Sequence, residues 1–150
     1  MGSRILLPVD QSEQATAACD LAIELFEDGT LVLLHVIDPA EASFSAETAI
    51  PNIPDGWYER EKEQADEQFA QLESRASAAG VETERAIEVG KPAQTIVEMA
   101  TEENIDHIVM GSHGRQGVSR LLLGSVAENV VRRSPVPVTV ARSSSEETDE

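Results

Sequence analysis

Lysine is almost missing from this chain: only Lys62 and Lys91 occur among 150 residues, and arginine supplies the rest of the 11 basic side chains. Against them stand 28 acidic residues, for a formal net charge of −17. A surface of that sign repels nucleic acid and resists self-association, so a role on DNA or RNA is not expected. Bulk cations screen such repulsion, and the charge suits a protein that works at high salt. Cysteine occurs once, at Cys19, so no internal disulfide is possible, as in proteins of a reducing compartment. No apolar run approaches the ~18 residues of a membrane-spanning helix, and Met1-Gly2-Ser3-Arg4 leads straight into a strand-like run without a signal peptide's apolar region. A cytoplasmic protein with no membrane partner is expected. One Trp, one Tyr and three Phe offer little to stack on a flavin. The P-loop pattern G-x-x-x-x-G-K-[ST] and the dinucleotide pattern G-x-G-x-x-G after the first strand are both missing. His35, His107 and His113 do not have metal-ligand spacing, so no metal site is assigned.

What is present alternates strand and helix. Arg4 to Val9 and Thr30 to Ile37 are short, nearly continuous apolar runs, the pattern of strands buried on both faces of a parallel sheet. Glu13 to Phe26 places Ala15, Ala18, Ala22, Leu25 and Phe26 on one helical face, with Ser12 as a candidate N-cap. Cys19, within that alanine-rich helix, is read as core filling. Residues 38–56 hold three prolines and no basic residue and read as a long loop with at most one helical turn. Trp57 to Ala79 is an amphipathic helix on a stripe of Ala65, Phe69, Leu72 and Ala76, stopped by Gly80. Val81 to Val89 is more polar and suits an edge strand. A third helix starts at Pro92, a fourth strand spans Asp106 to Met110, a fourth helix starts at Gly124 or Ser125, and a fifth strand spans Val136 to Ala141. The acidic residues 143–150 read as a disordered tail after one domain, 1–142. This order predicts an α/β fold: an open five-stranded parallel sheet with helices on both faces, Rossmann-like. Ligands of such folds sit beyond the strand carboxyl ends where the strand order reverses.

The chemistry concentrates in Gly111-Ser112-His113-Gly114, nine further residues, then Gly124-Ser125. Glycines at a strand end that feed a helix N-terminus let backbone N–H groups face an anion. The free N–H groups of Ser125, Val126 and Ala127 would lie at the positive end of the fourth helix. Ser125-x-x-Glu128 is also a plain capping box, which needs no ligand. The segment from His107 to Arg142 carries five arginines (115, 120, 132, 133, 142) and one acid, Glu128, whereas Met1 to Asp106 carries 23 acids and six bases. An anion bound there would find partners that the rest of the surface lacks. Asp10 ends the first strand, where ligand contact competes with an ordinary turn role. His113 lacks a visible partner for work as a base, and no catalytic residue is assigned.

The glycine pattern resembles the ATP-binding signature of the universal stress protein family. Ile5-Leu6-Leu7-Pro8-Val9-Asp10, Gly90-Lys91-Pro92-Ala93 and Pro135-Val136-Pro137-Val138 extend the likeness over nearly the whole chain. The resemblance implies sheet order 3-2-1-4-5, in the manner of the adenine nucleotide alpha hydrolase-like folds, and a homodimer paired through the last strand, Val136 to Ala141. It implies that Pro8, Val9 and Asp10 line the adenosine, with Val36 against adenine and Met110 and Gly111 by the ribose and inner phosphate. Gly114, Gly124, Ser125, Val126 and Ala127 would hold the phosphates. Arg115, and Arg120 with it, could clamp phosphate, and Mg²⁺ or Mn²⁺ would arrive with the nucleotide. Gln11 departs from the family, many members of which have glycine there. The implied function is an ATP-binding, homodimeric stress-response module. A slow ATPase or phosphotransferase, and a nucleotide-free interaction protein whose glycines serve packing alone, are the alternatives.

Overall fold

The computed structural model describes residues 2–10, 13–40, 56–112 and 123–142. Five strands, β1 (Arg4–Pro8), β2 (Thr30–Ile37), β3 (Glu82–Val89), β4 (His107–Gly111) and β5 (Val138–Ala141), form one parallel sheet in the order β3-β2-β1-β4-β5. The helices are α1 (Glu13–Leu25), α2 (Trp57–Ala78), α3 (Pro92–Glu102) and α4 (Ser125–Arg133).

The alternation of side chains along each strand divides the core in two. Ile5, Leu7, Leu31, Leu33 and Val109 face α1 and α2, against Ala15, Ala18, Cys19, Ala22, Phe69 and Leu72. Leu6, Val32, Leu34, Ile108 and Met110 face α3 and α4, against Ile96, Ala100, Ala127 and Val130. Both faces of β1 are covered, which is why it is apolar at successive positions from Ile5 to Pro8 rather than at alternate ones. The polar strand β3 lies at one edge, as its composition predicts, and β5 lies at the other.

Small side chains bring α1 close to the sheet. Its buried stripe is Ala15, Ala18, Cys19 and Ala22; Leu25, expected on that face, is instead 51% exposed. The helix ends there, and Phe26 turns back onto the core and against the His107 ring, 5.0 Å between centroids. Helix α2 buries the predicted residues Ala65, Phe69, Leu72 and Ala76. Its stop is a Schellman turn: Gly80, at φ +79°, donates its N–H to Ser77 O (3.0 Å), and Val81 donates to Ala76 O (2.9 Å). Arg75 bridges α2 to Asp20 of α1 (2.6 Å), and Arg85 of β3 reaches Glu73 (2.6 Å) and Asp66 (3.3 Å) of α2. At exposed sites such pairs contribute little individually.

Most expected element ends fall within one residue of those observed, and two departures have a clear local cause. The last strand begins at Val138, not Val136, because Ser134 folds its hydroxyl onto Val136 (Oγ to Val136 O, 2.6 Å), holding Val136 in a turn. The cap of α4 is Gly124, so Ser125 is the first helical residue and makes no capping bond. The capping box therefore does not form; Glu128 instead pairs with Arg132 one turn on, at 3.0 Å. The candidate N-cap Ser12, the departure at Gln11, most of the long loop (41–55) and the acidic tail (143–150) lie outside the described residues. Among the described residues, no helix is long and apolar enough to cross a membrane.

Candidate functional site

The sheet opens between its two central strands. Strand β1 stays paired with β2 to its last residue, Pro8↔Leu34, and β4 stays paired with β5 to Gly111↔Ala141. Between β1 and β4, however, the register holds only at Ile5↔His107 and Leu6↔Ile108. Beyond that the two strands part toward their carboxyl ends, at the point where the chain order reverses, which is where open α/β sheets take ligands. Pro8, which has no N–H to give a ladder, sits in the diverging part of β1.

The predicted residues Pro8, Val9, Asp10, Met110 and Gly111 all lie at this opening, but several offer main chain rather than side chain. The Val9 side chain is 3% exposed and packed in the core on the α1 and α2 side. Its N–H donates to Leu34 O (2.8 Å), and its carbonyl accepts from Nδ1–H of His35 (3.2 Å). Asp10 is half-buried beside it. Met110 is buried on the opposite face of the sheet, and half-buried Val36 of β2 packs in that same layer. His35 is itself buried, and its Nε2 lies 3.6 Å from Glu61 Oε1 of α2, too far for a hydrogen bond.

Gly111 has a different reason for lacking a side chain from the one expected. Its φ is not positive, and a Cβ there would lie 2.7 Å from Gln14 Cβ of α1. The close approach at Gly111 is that of the protein's own helix. The next residue, Ser112, is 3% exposed and donates Oγ–H to Gln14 Oε1 at 2.9 Å. Its N–H donates to Ala141 O (2.9 Å), and its carbonyl accepts from the Gly124 N–H (2.7 Å). Gly124, the cap of α4, is thereby held against the end of β4.

From that cap, α4 presents its first three amides. The Glu128 N–H closes the first helical bond, to Gly124 O at 2.9 Å. The N–H groups of Ser125, Val126 and Ala127 have no intrahelical acceptor, and no described residue accepts from them. Ser125 is exposed; Val126 and Ala127 turn their side chains into the core and can offer a ligand only their amides. Three such donors at the positive end of a helix are able to receive an anion.

Of the arginine-rich segment, two described members stand away from it. Arg132 and Arg133 stand in the last turn of α4, about 10 Å of helix from its N-terminus, where they complement the negative end of the dipole. Arg142 follows β5 at the same end of the sheet as Gly111. Gly114, Arg115, His113 and Arg120 lie outside the described residues. The remaining groups of chemical interest are structural. His107 bonds Thr139 Oγ1 (2.7 Å), and burial lowers its pKa. Cys19 is wholly buried, its thiol pushed up to about 11 chiefly by burial. No cluster of three or more His, Cys, Asp or Glu suited to a metal occurs among the described residues. Sequence reading missed Gln14, which has no local signal, and Ser112, whose place between the two glycines was the available clue.

Residues 1–142 match the family model described as the universal stress protein family. Universal stress protein MJ0577 of Methanocaldococcus jannaschii is 33% identical over 155 residues, covering 95% of this chain and 96% of that protein. A solved structure of MJ0577 shares the fold at TM-score 0.81 and 32% identity, over 95% of this chain and 97% of the other. A universal stress protein crystallised in complex with cAMP matches at TM-score 0.63 and 25% identity, over 93% and 96% of the two chains. A family protein from Arabidopsis thaliana with AMP bound shares the fold alone, at TM-score 0.70 and 18% identity over 99% and 96%.

Proposed function

This chain belongs to the universal stress protein family, and from that premise we propose that it binds ATP in the opening between β1 and β4 and acts as a homodimeric regulatory module of the stress response. The observation that carries the reading is the N-terminus of α4: three amides without a described acceptor, fixed beside the end of β4 where the sheet parts. Adenosine lies against Pro8, Val9, Asp10 and Val36, and the ribose and inner phosphate lie by Met110 and Gly111. Gly124, Ser125, Val126 and Ala127, with Gly114 and Arg115, hold the phosphates. The cAMP complex of a relative supports an adenine nucleotide as the ligand class.

Charge shapes the rest of the proposal. Mg²⁺ or Mn²⁺ comes with the nucleotide, since phosphate oxygens supply the hard ligands these ions prefer. The cytoplasm is the compartment, and cation-rich surroundings relieve the −17 charge. Dimers pair through β5, whose outer edge meets no described strand. Occupancy by ATP sets a conformation that the dimer or a protein partner reads.

Calorimetry of ATP with Mg²⁺, in molar KCl, tests the binding. A saturable, one-site isotherm that Gly114→Val abolishes is expected. No heat of binding in the parent protein refutes the reading, and unchanged affinity in Gly114→Val refutes the phosphate assignment. A melting series in KCl tests the salt reading: the melting temperature rises with salt, and a steady fall contradicts it.

A further inference from the structure

We propose that Ser112 and Gln14 are positioning residues for the polyphosphate: their contact sets where the first amides of α4 stand, without either residue touching the nucleotide. The inference rests on the ATP-binding reading and says how that site is held in register.

Ser112 is a junction of three elements. Its N–H is taken by β5 (Ala141 O, 2.9 Å), its carbonyl by the cap of α4 (Gly124 N, 2.7 Å), and its hydroxyl by α1 (Gln14 Oε1, 2.9 Å). It is 3% exposed, so none of these bonds is readily replaced by one to water. The Ser112 carbonyl ties the end of β4 directly to the cap of α4. A shift of Ser112 is therefore passed directly to Gly124 and to the Ser125, Val126 and Ala127 amides that follow it.

Gln14 adds a side-chain restraint on Ser112 against such a shift. The side chain reaches from the first turn of α1, and Gly111, lacking a Cβ, lets that turn come within contact of the β4 main chain. The helix after β1 and the end of β4 meet beside the opening. The Ser112–Gln14 bond spans 98 residues of sequence to tie them together. Donors that must meet several phosphate oxygens at once lose most when displaced, whereas adenosine, placed against β1, β2 and the end of β4, has no contact with the α4 amides to lose.

The test compares ATP–Mg²⁺ with adenosine in the full chain. Ser112→Ala removes the donor; Gln14→Ala removes the acceptor from a half-buried helix position and guards against a folding defect at the buried serine. Each is expected to weaken ATP about tenfold, the size of one lost hydrogen bond, and to leave adenosine affinity unchanged. The double variant is expected to lose no more ATP affinity than either single one. Equal losses for ATP and adenosine, additive losses in the double variant, or full ATP affinity in both single variants each overturn the proposal. If the parent protein binds adenosine but gains nothing from the phosphates, the phosphate site itself is wrong and this inference falls with it.

Discussion

Replacing Gly111 by alanine separates two uses of glycine that a sequence cannot tell apart. The added Cβ would stand 2.7 Å from Gln14 Cβ, with Gln14 Oε1 at 3.3 Å and Gln14 O at 3.4 Å. Carbon atoms in good contact sit about 3.5–4.0 Å apart, so the overlap is about 1 Å. No rotamer change relieves it, because a Cβ moves only with its backbone. Helix α1 would have to lift, and Ala15, Ala18, Cys19 and Ala22 hold it against the sheet. Overpacking of this kind costs about 1–3 kcal/mol. Gly111 does not have a positive φ, so alanine also recovers about 0.4–1 kcal/mol by restricting the unfolded chain. The net expectation is a loss of about 1–2 kcal/mol, or roughly 3–6 °C in Tm for a chain of this size. Thermal unfolding followed by circular dichroism reads it directly. Adding Gln14→Ala should not restore stability, because that change keeps the offending Cβ. A Gly111→Ala protein that melts at or above the parent temperature would refute the packing argument.

Other consequences follow from the same structure. Gly80→Ala meets no atom within 4 Å but forces a side chain to φ +79°, and should cost about 1–2 kcal/mol by backbone strain alone; an unchanged Tm contradicts this. The Cys19 thiol, with its pKa raised from 9.0 to about 11, should resist a thiol reagent at pH 8 until the protein unfolds. Because the folded state holds that proton longer than the unfolded one, Cys19 favours folding fully below pH 9 and loses that contribution between pH 9 and about 11. The loss is roughly 2–3 kcal/mol, seen as a steeper alkaline decline in the parent than in Cys19→Ala. His107 has the opposite sense: burial lowers its pKa below 6.5, so its contribution is complete above that pH and is lost as pH falls through the folded value. Denaturant midpoints at pH 7 and pH 5 should therefore differ more in the parent than in His107→Gln.

The strands were the most legible part of the sequence. Thr30 to Ile37 is a strand over the full expected span, because a run buried on both faces carries its own boundary where the apolar residues end. The helices of the sheet faces followed from their small-residue and apolar stripes. Leu25 was misassigned since helical periodicity continues past the point where the helix stops. The strand order did not come from periodicity at all; it came with the family resemblance, and the sheet has that order.

The site was legible as a place and less so as a set of contacts. The glycine pattern located the opening, yet Gly111 proved to be occupied by Gln14, a residue nearly a hundred positions away. Local spacing suggested a capping box at Ser125, but the box depends on which residue takes the cap, and Gly124 took it. A count of arginines suggested a basic surround; the direction of α4 carries Arg132 and Arg133 away from its N-terminus. In each case the deciding partner is set by tertiary packing, which no window of sequence contains.

The central claim is that main-chain amides at the start of α4 receive the phosphates. Amide chemical shifts of Ser125, Val126 and Ala127, followed during titration with ATP–Mg²⁺ and separately with adenosine, test it most directly. The account predicts large downfield shifts at all three with ATP and little change with adenosine. If ATP binds while these amides stay where they were, the phosphates are held elsewhere and the account is wrong.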